Sequence, residues 1–156
     1  LAESRLALYG KDVYEASRID AFLDAGLIFG RDTQPSLISL LRETIPAADH
    51  QHASEAVTTY LGGIERALSP NRRFLVGEAL TIADICFACE ITMLYYEKVR
   101  LADLHRASLV PVLTGFQQCH PRAAELFGRL RAHPAFAVDL EAHLAQLERG
   151  IKVLQI

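Results

Sequence analysis

The stretch that most constrains the fold is FLVGEALTIADICFACEITMLYY, residues 74–96, which is apolar over most of its length. Within it, Thr81 and Asp84 are spaced as a capping box, in which two side chains satisfy backbone N–H groups at a helix start. The apolar residues after them fall on every face of the predicted helix, at Ile82, Ile85, Phe87, Ile91, Met93 and Leu94. A helix that is apolar all round is usually buried, so the stretch predicts the central helix of a domain.

A membrane span is one alternative for this stretch. A spanning helix needs about 20 consecutive apolar residues. Here Asp84 and Glu90 interrupt the apolar run, and Lys98 and Arg100 close it. A carboxylate near the centre of a span is costly, so we expect no membrane segment.

The pair Cys86 and Cys89 offers two chemical alternatives, a redox dithiol and half of a zinc site. A reactive redox thiol usually lies at a helix N-terminus, whereas Cys86 falls in the second turn of the predicted helix. Zinc needs two more ligands, and Cys119 with His120 is the nearby candidate pair. We favour two small buried side chains, because free cysteine is among the most buried residue types.

A long helix is predicted before this stretch. Asp12 is its expected N-cap, with Glu15 as the capping-box partner. Pro35 is expected to interrupt or restart this helix, because proline lacks the backbone N–H. The apolar stripe of the helix consists of Val13, Ala16, Ile19, Leu23 and Leu27.

A second helix is predicted over residues 49–68. It contains Gly62 and Gly63, each of which costs up to about 1 kcal/mol relative to alanine. Two glycines are tolerable there if another helix packs closely against them. The apolar stripe of this helix consists of Ala53, Val57, Leu61, Ile64 and Leu68.

The C-terminal third also predicts helices. One short helix is expected on each side of Pro111, and residues 121–134 predict an amphipathic helix that begins at Pro121 and stops before Pro134. Residues 138–150 predict a last helix that packs on the domain body, with Gly150 as its C-cap. We find no strand alternation and no hairpin turn signal, so the predicted fold class is all-α.

Composition narrows the function. A chain of 156 residues suits one domain, and a net charge of −3 with scattered Lys and Arg argues against a nucleic-acid binder. Three cysteines form no disulfide framework, and the first residues do not form a signal peptide, so we expect a cytoplasmic protein. His50 and His52, beside Asp49, have no third patterned metal ligand, and we expect a solvated helix start there rather than a metal site.

Three segments carry a family resemblance: RRFLVGEALTIADICFA, LYGKDVYEASRIDAFLD and RAAELFGRLRAHPAF. The first resembles the pattern F-(L/V)-x-G-(D/E)-x-(L/I/F)-(T/S)-x-A-D, which opens the core helix of the C-terminal domain in cytosolic glutathione S-transferases. The second resembles the entry into that family's long fourth helix, and the third resembles one of its later helices. The segments occur in family order and cover most of the chain. The linker between Tyr96 and Pro121 is longer than usual for the family.

The resemblance implies an all-helical bundle around the buried central helix, which in the family follows a thioredoxin-like, glutathione-binding domain. We expect that domain to be absent from this chain, with residues 1–10 as its tail or a linker and residues 11–156 as the helical domain. Glu3 and Ser4 could instead be the family's Glu-Ser pair that holds the γ-glutamyl group. The tail interpretation is favoured, because Leu8 and Tyr9 already begin the next segment.

The resemblance also implies site residues. In some classes the Asp that matches Asp20 reaches across the dimer to the amino group of glutathione, although a role in a helix-end or interhelix network is equally open. The same helix lines the family's electrophile pocket, so Phe22, Phe29 and Tyr14 are candidate substrate-binding residues. Phe29 is the better placed of them, whereas core packing is the favoured role for Phe22. The implied partners are glutathione as co-substrate, a small hydrophobic electrophile and a second copy of the chain in a homodimer. No catalytic residue and no metal ligand are expected in this chain.

Two functions are compatible with the resemblance. The first is the helical domain of a glutathione transferase, which supplies the electrophile pocket and part of the dimer surface. The second is a non-catalytic interaction domain, as in the gamma subunit of a translation elongation complex or an appendage of an aminoacyl-tRNA synthetase. The chain ends in GIKVLQI soon after its last predicted helix, which mildly favours the first.

Overall fold

The structure is a computed structural model that describes residues 8–42, 44–68 and 72–149. These residues form helices joined by turns and loops, with no β-strand among them, which confirms the predicted all-α fold. The predictions for Glu3, Ser4 and Gly150 lie outside the described residues. The elements are α1 (Val13–Ser39), α2 (Ala47–Ala67), α3 (Ile82–Leu94), a 3₁₀ helix (Tyr95–Arg100), α4 (Leu101–Arg106), α5 (Phe116–Cys119), α6 (Pro121–Arg131) and α7 (Ala137–Glu148).

Helix α1 begins at the predicted N-cap, Asp12, but Glu15 does not bind the backbone N–H of Asp12 as a capping box would require. The Asp12 carboxylate accepts a hydrogen bond from the Glu15 backbone N–H at 2.9 Å. The Glu15 carboxylate accepts from the backbone N–H of Lys11, also at 2.9 Å, and lies 3.2 Å from the Lys11 ammonium. Glu15 therefore binds a backbone N–H one residue earlier than the capping box predicts.

The expected interruption at Pro35 is wrong, because α1 runs through it from Val13 to Ser39. Pro35 lies on the exposed face of the helix, where water can pair with the carbonyl that the missing N–H leaves free. On the opposite face Thr33 and Ser36 are buried, and the Thr33 hydroxyl donates to the Phe29 carbonyl at 2.9 Å. Packing of that face keeps the helix continuous.

Helix α3 is the centre of the domain. It contacts α1, α6 and the 3₁₀ helix, and Phe87 and Ile91 on it are completely buried. Aromatic rings connect α3 to two neighbouring helices. The centroid of the Phe87 ring lies 6.5 Å from that of Tyr60 on α2 and 6.5 Å from that of Phe127 on α6. The core is thus one connected cluster.

A buried carboxylate organises the start of α3, where the Thr81–Asp84 capping box is present. Asp84 is completely buried, and its Oδ2 accepts from the backbone N–H and the hydroxyl of Thr81, at 2.9 and 2.8 Å. Its Oδ1 accepts from the backbone N–H of Leu75 at 2.9 Å. The carboxylate therefore joins the preceding loop to the helix. Burial raises the pKa of Asp84, and these hydrogen bonds oppose the rise.

Helix α3 is not buried on every side, which corrects one expectation. Ile82 and Met93 are among the exposed large hydrophobic residues, Met93 with 45% of its surface accessible, and Cys89 is exposed between them. These positions share one face of the helix. An all-apolar sequence could not reveal this face, because periodicity marks a buried side only by contrast with a polar one.

The C-terminal third follows the sequence expectations. Short helices α4 and α5 lie on either side of Pro111, and α6 begins at Pro121. Helix α7 buries Leu144 and Leu147 against the domain body and contacts the 3₁₀ helix and α6. Across the described residues, no helix is both long and apolar enough to cross a bilayer.

Replacing the buried carboxylate tests its role. Asp84→Ala should lower the free energy of unfolding by about 2–4 kcal/mol, because it removes a helix cap and leaves buried N–H groups unpaired. Chemical denaturation measures the change. The exposed Asp24 on α1 provides the control, since Asp24→Ala should change stability by less than about 0.5 kcal/mol. Equal losses in the two variants would contradict the role of Asp84.

Candidate functional site

Helices α1 and α2 enclose an open groove of about 560 Å³, called the α1–α2 groove below. This volume lies within the range of small-molecule sites. The lining is mainly apolar and includes Phe22, Ala25, Phe29, Ala56, Tyr60 and Gly63. The groove can therefore accept a compact hydrophobic molecule.

Aromatic rings form the floor of the α1–α2 groove. Phe29 stacks on Tyr60 with ring centroids 4.3 Å apart and an angle of 13° between the planes. Both residues are buried, and Tyr60 in turn contacts Phe87 in the core. The floor is consequently fixed by the packing of the domain, and burial raises the pKa of the Tyr60 hydroxyl.

Small residues provide the space above this floor. Within the described part of the chain, a Cβ atom added at Gly62 or Gly63 would meet no atom of a neighbouring element within 4 Å, so none of the described helices packs closely there. The condition that would make the two glycines tolerable, a closely packed helix, is therefore not met. Gly63 borders the α1–α2 groove instead, where a side chain would occupy part of its volume.

Charged side chains stand at the rim of the α1–α2 groove. The Arg18 guanidinium lies 5.5 Å from the centroid of the Phe22 ring, in a cation–π contact. Asp32 accepts from Arg31 at 2.8 Å and lies 3.9 Å from the His52 ring nitrogen. The hydrogen bond from Arg31 lowers the pKa of Asp32, so this rim carboxylate is ionised at neutral pH.

The structure brings together two of the residues named from sequence. Phe22 and Phe29 both line the α1–α2 groove. Tyr14 is mostly exposed and borders a separate cavity of about 170 Å³. Asp20 is exposed on α1, does not line the groove, and accepts a hydrogen bond from the Tyr9 hydroxyl.

The contribution of α2 was missed at the sequence level. Ala56, Tyr60, Gly63 and Ala67 follow one another at intervals of three or four residues, so they share a face of the helix. A face with small residues around one aromatic ring is the signal that could have indicated a pocket.

Helix α1 approaches α3 closely at two glycines. A Cβ atom at Gly26 would lie 2.9 Å from the Cys86 sulfur, and one at Gly30 would lie 3.4 Å from a Glu90 carboxylate oxygen. Cys86 is half-buried in this contact and Cys89 is exposed, so the expectation of two buried thiols is wrong for Cys89 and only partly met for Cys86. Burial, with the nearby Glu90 charge, raises the pKa of both thiols, which disfavours the reactive thiolate.

The two histidines have different surroundings. His50 is buried, and its Nε2 lies 3.1 Å from a Glu97 carboxylate oxygen without hydrogen-bond geometry. The expected solvated helix start is therefore wrong for His50, whose pairing with Glu97 links α2 to the 3₁₀ helix. His52 is largely exposed. The part of the chain that the structure describes contains no group of three His, Cys, Asp or Glu residues arranged for a metal ion.

Comparison with known families identifies the domain. The model of the glutathione S-transferase C-terminal domain matches residues 20–118, which include most of α1, all of α2 and α3, and the residues that line the α1–α2 groove apart from Arg18. The match spans more than half of the chain, so the chain belongs to the glutathione S-transferase C-terminal domain family. No curated protein sequence matches the chain at significant similarity.

The contact between α1 and α3 predicts opposite effects for two glycine substitutions. Gly26→Ala should lower the free energy of unfolding by about 1–3 kcal/mol, because the new methyl group meets the Cys86 sulfur. Gly62→Ala should raise it by about 0.5–1 kcal/mol, because the site is open and alanine favours the helix. Thermal or chemical denaturation of both variants makes the comparison.

A second substitution tests the cause. Adding Cys86→Ala to Gly26→Ala removes the crowded sulfur and should recover much of the lost stability. If the loss of unfolding free energy in the double variant equalled the sum of the losses in Gly26→Ala and Cys86→Ala, the sulfur contact would not be responsible.

Proposed function

We propose that this chain is the helical domain of a glutathione transferase, and that the α1–α2 groove holds its hydrophobic electrophile. The observation that carries the proposal is the aromatic floor of Phe29 and Tyr60 beneath an open apolar groove, in a chain of this family. Family members use glutathione as a substrate.

The groove would act by binding and orientation. Phe22, Phe29 and Tyr60 all line the groove, so an aromatic electrophile bound there would lie against aromatic side chains. Holding the electrophile beside the glutathione sulfur makes their encounter effectively intramolecular, which accelerates the step in which the thiolate sulfur bonds to carbon and a halide leaves. We assign deprotonation of the glutathione thiol to no residue of this chain.

Asp20 is the proposed contact to glutathione. Its carboxylate is exposed and accepts one hydrogen bond, from Tyr9. A carboxylate has several acceptor positions, so Asp20 can still accept from the cationic γ-glutamyl amino group of a glutathione held by a second subunit. Tyr14 stays a sequence-based candidate for the electrophile site, although it stands apart from the groove.

A homodimer is part of the proposal. Leu27 follows Asp20 by seven residues on the same face of α1, and 71% of its surface is exposed. An exposed leucine beside a proposed cross-subunit contact suits a face that meets a second copy of the chain. Three unpaired cysteines suit the reducing conditions of the cytoplasm, where we place the protein.

A non-catalytic interaction domain of an elongation factor gamma or synthetase complex is the alternative. Such a domain docks partners through its outer surface and has no need of a small-molecule groove. Ligand binding in the α1–α2 groove therefore separates the two functions.

A groove-filling substitution supplies the test. Gly63→Leu places a side chain in the α1–α2 groove, at a position where an added Cβ meets no neighbour within 4 Å, and should weaken binding of 1,3-dinitrobenzene, a non-reacting analogue of an aryl halide, at least about tenfold. Isothermal titration calorimetry measures the affinity. Gly62→Leu is a matched control, because its site is equally open but does not line the groove.

The same pair of variants can be followed in catalysis. In the complete polypeptide, Gly63→Leu should raise KM for an aryl halide and leave KM for glutathione nearly unchanged. If the unsubstituted protein bound neither the analogue nor glutathione, or if both leucine variants behaved alike, the transferase proposal would be wrong and the interaction domain would be favoured.

A further inference from the structure

A second cavity, lined by Leu68, Arg72, Arg73, Arg122, Glu125 and Arg129 and called the arginine cavity below, lies between the end of α2 and helix α6. Its volume is about 450 Å³, which is sufficient for a small molecule. It shares no lining residue with the α1–α2 groove.

The fold assembles this charge from distant parts of the sequence. Arg72 and Arg73 belong to the loop before α3, whereas Arg122 and Arg129 are two turns apart on one face of α6. Four arginines thus line a cavity to which the described residues contribute one acidic residue, Glu125. In a chain whose net charge is −3, this is a local reversal of sign.

The carboxylates near the arginine cavity are already engaged. Glu125 accepts from the Arg129 Nη1 at 2.6 Å. One Glu65 oxygen accepts the backbone N–H groups of Arg122 and Ala123 at 2.9 and 3.0 Å, while the other lies 3.9 Å from the Arg122 guanidinium. Glu65 thus caps the N-terminus of α6, so a ligand would meet the arginine side chains rather than the helix end, although the Arg122 Nη1 already donates to the Glu65 carbonyl at 3.4 Å.

The arginines retain unused donors. The Arg129 Nη2 donates to the Arg73 carbonyl at 2.8 Å, but the buried Arg129 Nε makes no hydrogen bond within the described residues. The Arg73 guanidinium lies over the Phe74 ring, 5.9 Å from its centroid. Among the described residues, neither Arg72 nor Arg73 forms an ion pair with a carboxylate. Arg72 also borders the separate cavity that Glu15 and Glu78 line, so three arginines remain even if it turns away.

We propose that the arginine cavity binds a small multivalent phosphate-type anion, such as a pyrophosphate group. Guanidinium forks match the tetrahedral oxygens of phosphate with paired, charge-assisted hydrogen bonds. An anion with two or more charges would relieve the mutual repulsion of the four arginines, which the carboxylates of Glu125 and Glu65 offset only in part. The cavity is recessed and local, which suits a small anion better than an extended nucleic acid.

Calorimetric titration of the full 156-residue chain with sodium pyrophosphate, at fixed ionic strength set with chloride, tests the proposal. The expected result is one saturable site per chain. The double variant Arg72→Gln with Arg73→Gln should weaken pyrophosphate binding at least about tenfold, because it removes two positively charged guanidinium groups that can donate hydrogen bonds. Arg106→Gln is the control, since Arg106 is exposed on α4 and pairs with Asp103.

Further ligands identify the chemistry. Tripolyphosphate and ATP should bind with affinities similar to that of pyrophosphate if the phosphate groups alone are recognised, and ATP should bind more tightly if its nucleoside also makes contact. Either result supports the site.

Two outcomes would overturn the proposal. Citrate binding as tightly as pyrophosphate would show a general attraction of anions rather than phosphate recognition. Undiminished pyrophosphate binding by the double variant, with its helical content intact by circular dichroism, would place the anion elsewhere. Neither outcome bears on the α1–α2 groove, which shares no residue with this cavity.

Discussion

The buried Asp84 carboxylate is the interaction on which the rest of the domain depends. It ties the backbone of Leu75 to the start of α3, so the loop and the central helix are fixed as one unit. Gly26 and Gly30 allow α1 to lie close against α3, and α2 packs against α1. The α1–α2 groove therefore depends, through α1, on the hydrogen bonds that fix the start of α3.

Sequence reasoning succeeded where the determining signals are local. Thr81 and Asp84, or Pro121 at the start of α6, act through backbone groups within a few residues, and both are evident in the sequence. It failed where distant packing decides. Pro35 remains helical because the opposite face of α1 is buried, and His50 is buried because Glu97, far along the chain, lies against it.

The two candidate binding sites show the same contrast between features that the sequence reveals and features that depend on distant packing. Phe22 and Phe29 could be named because the family resemblance assigns that helix to a pocket, and the structure places both in one groove. The opposite wall on α2 required knowing which face of that helix meets α1. The arginine cavity could not be predicted, because its arginines come from two segments about fifty residues apart in a chain whose other arginines are scattered.

The stacked position of Tyr60 has a spectroscopic consequence. The chain contains no tryptophan, so tyrosine dominates its near-ultraviolet absorption and emission. Because burial raises the pKa of Tyr60, its phenol stays neutral in an alkaline titration to a higher pH than an ordinary tyrosine would. The late ionisation of Tyr60 can therefore be followed by ultraviolet absorption, and it reports on the floor of the groove without an introduced fluorophore.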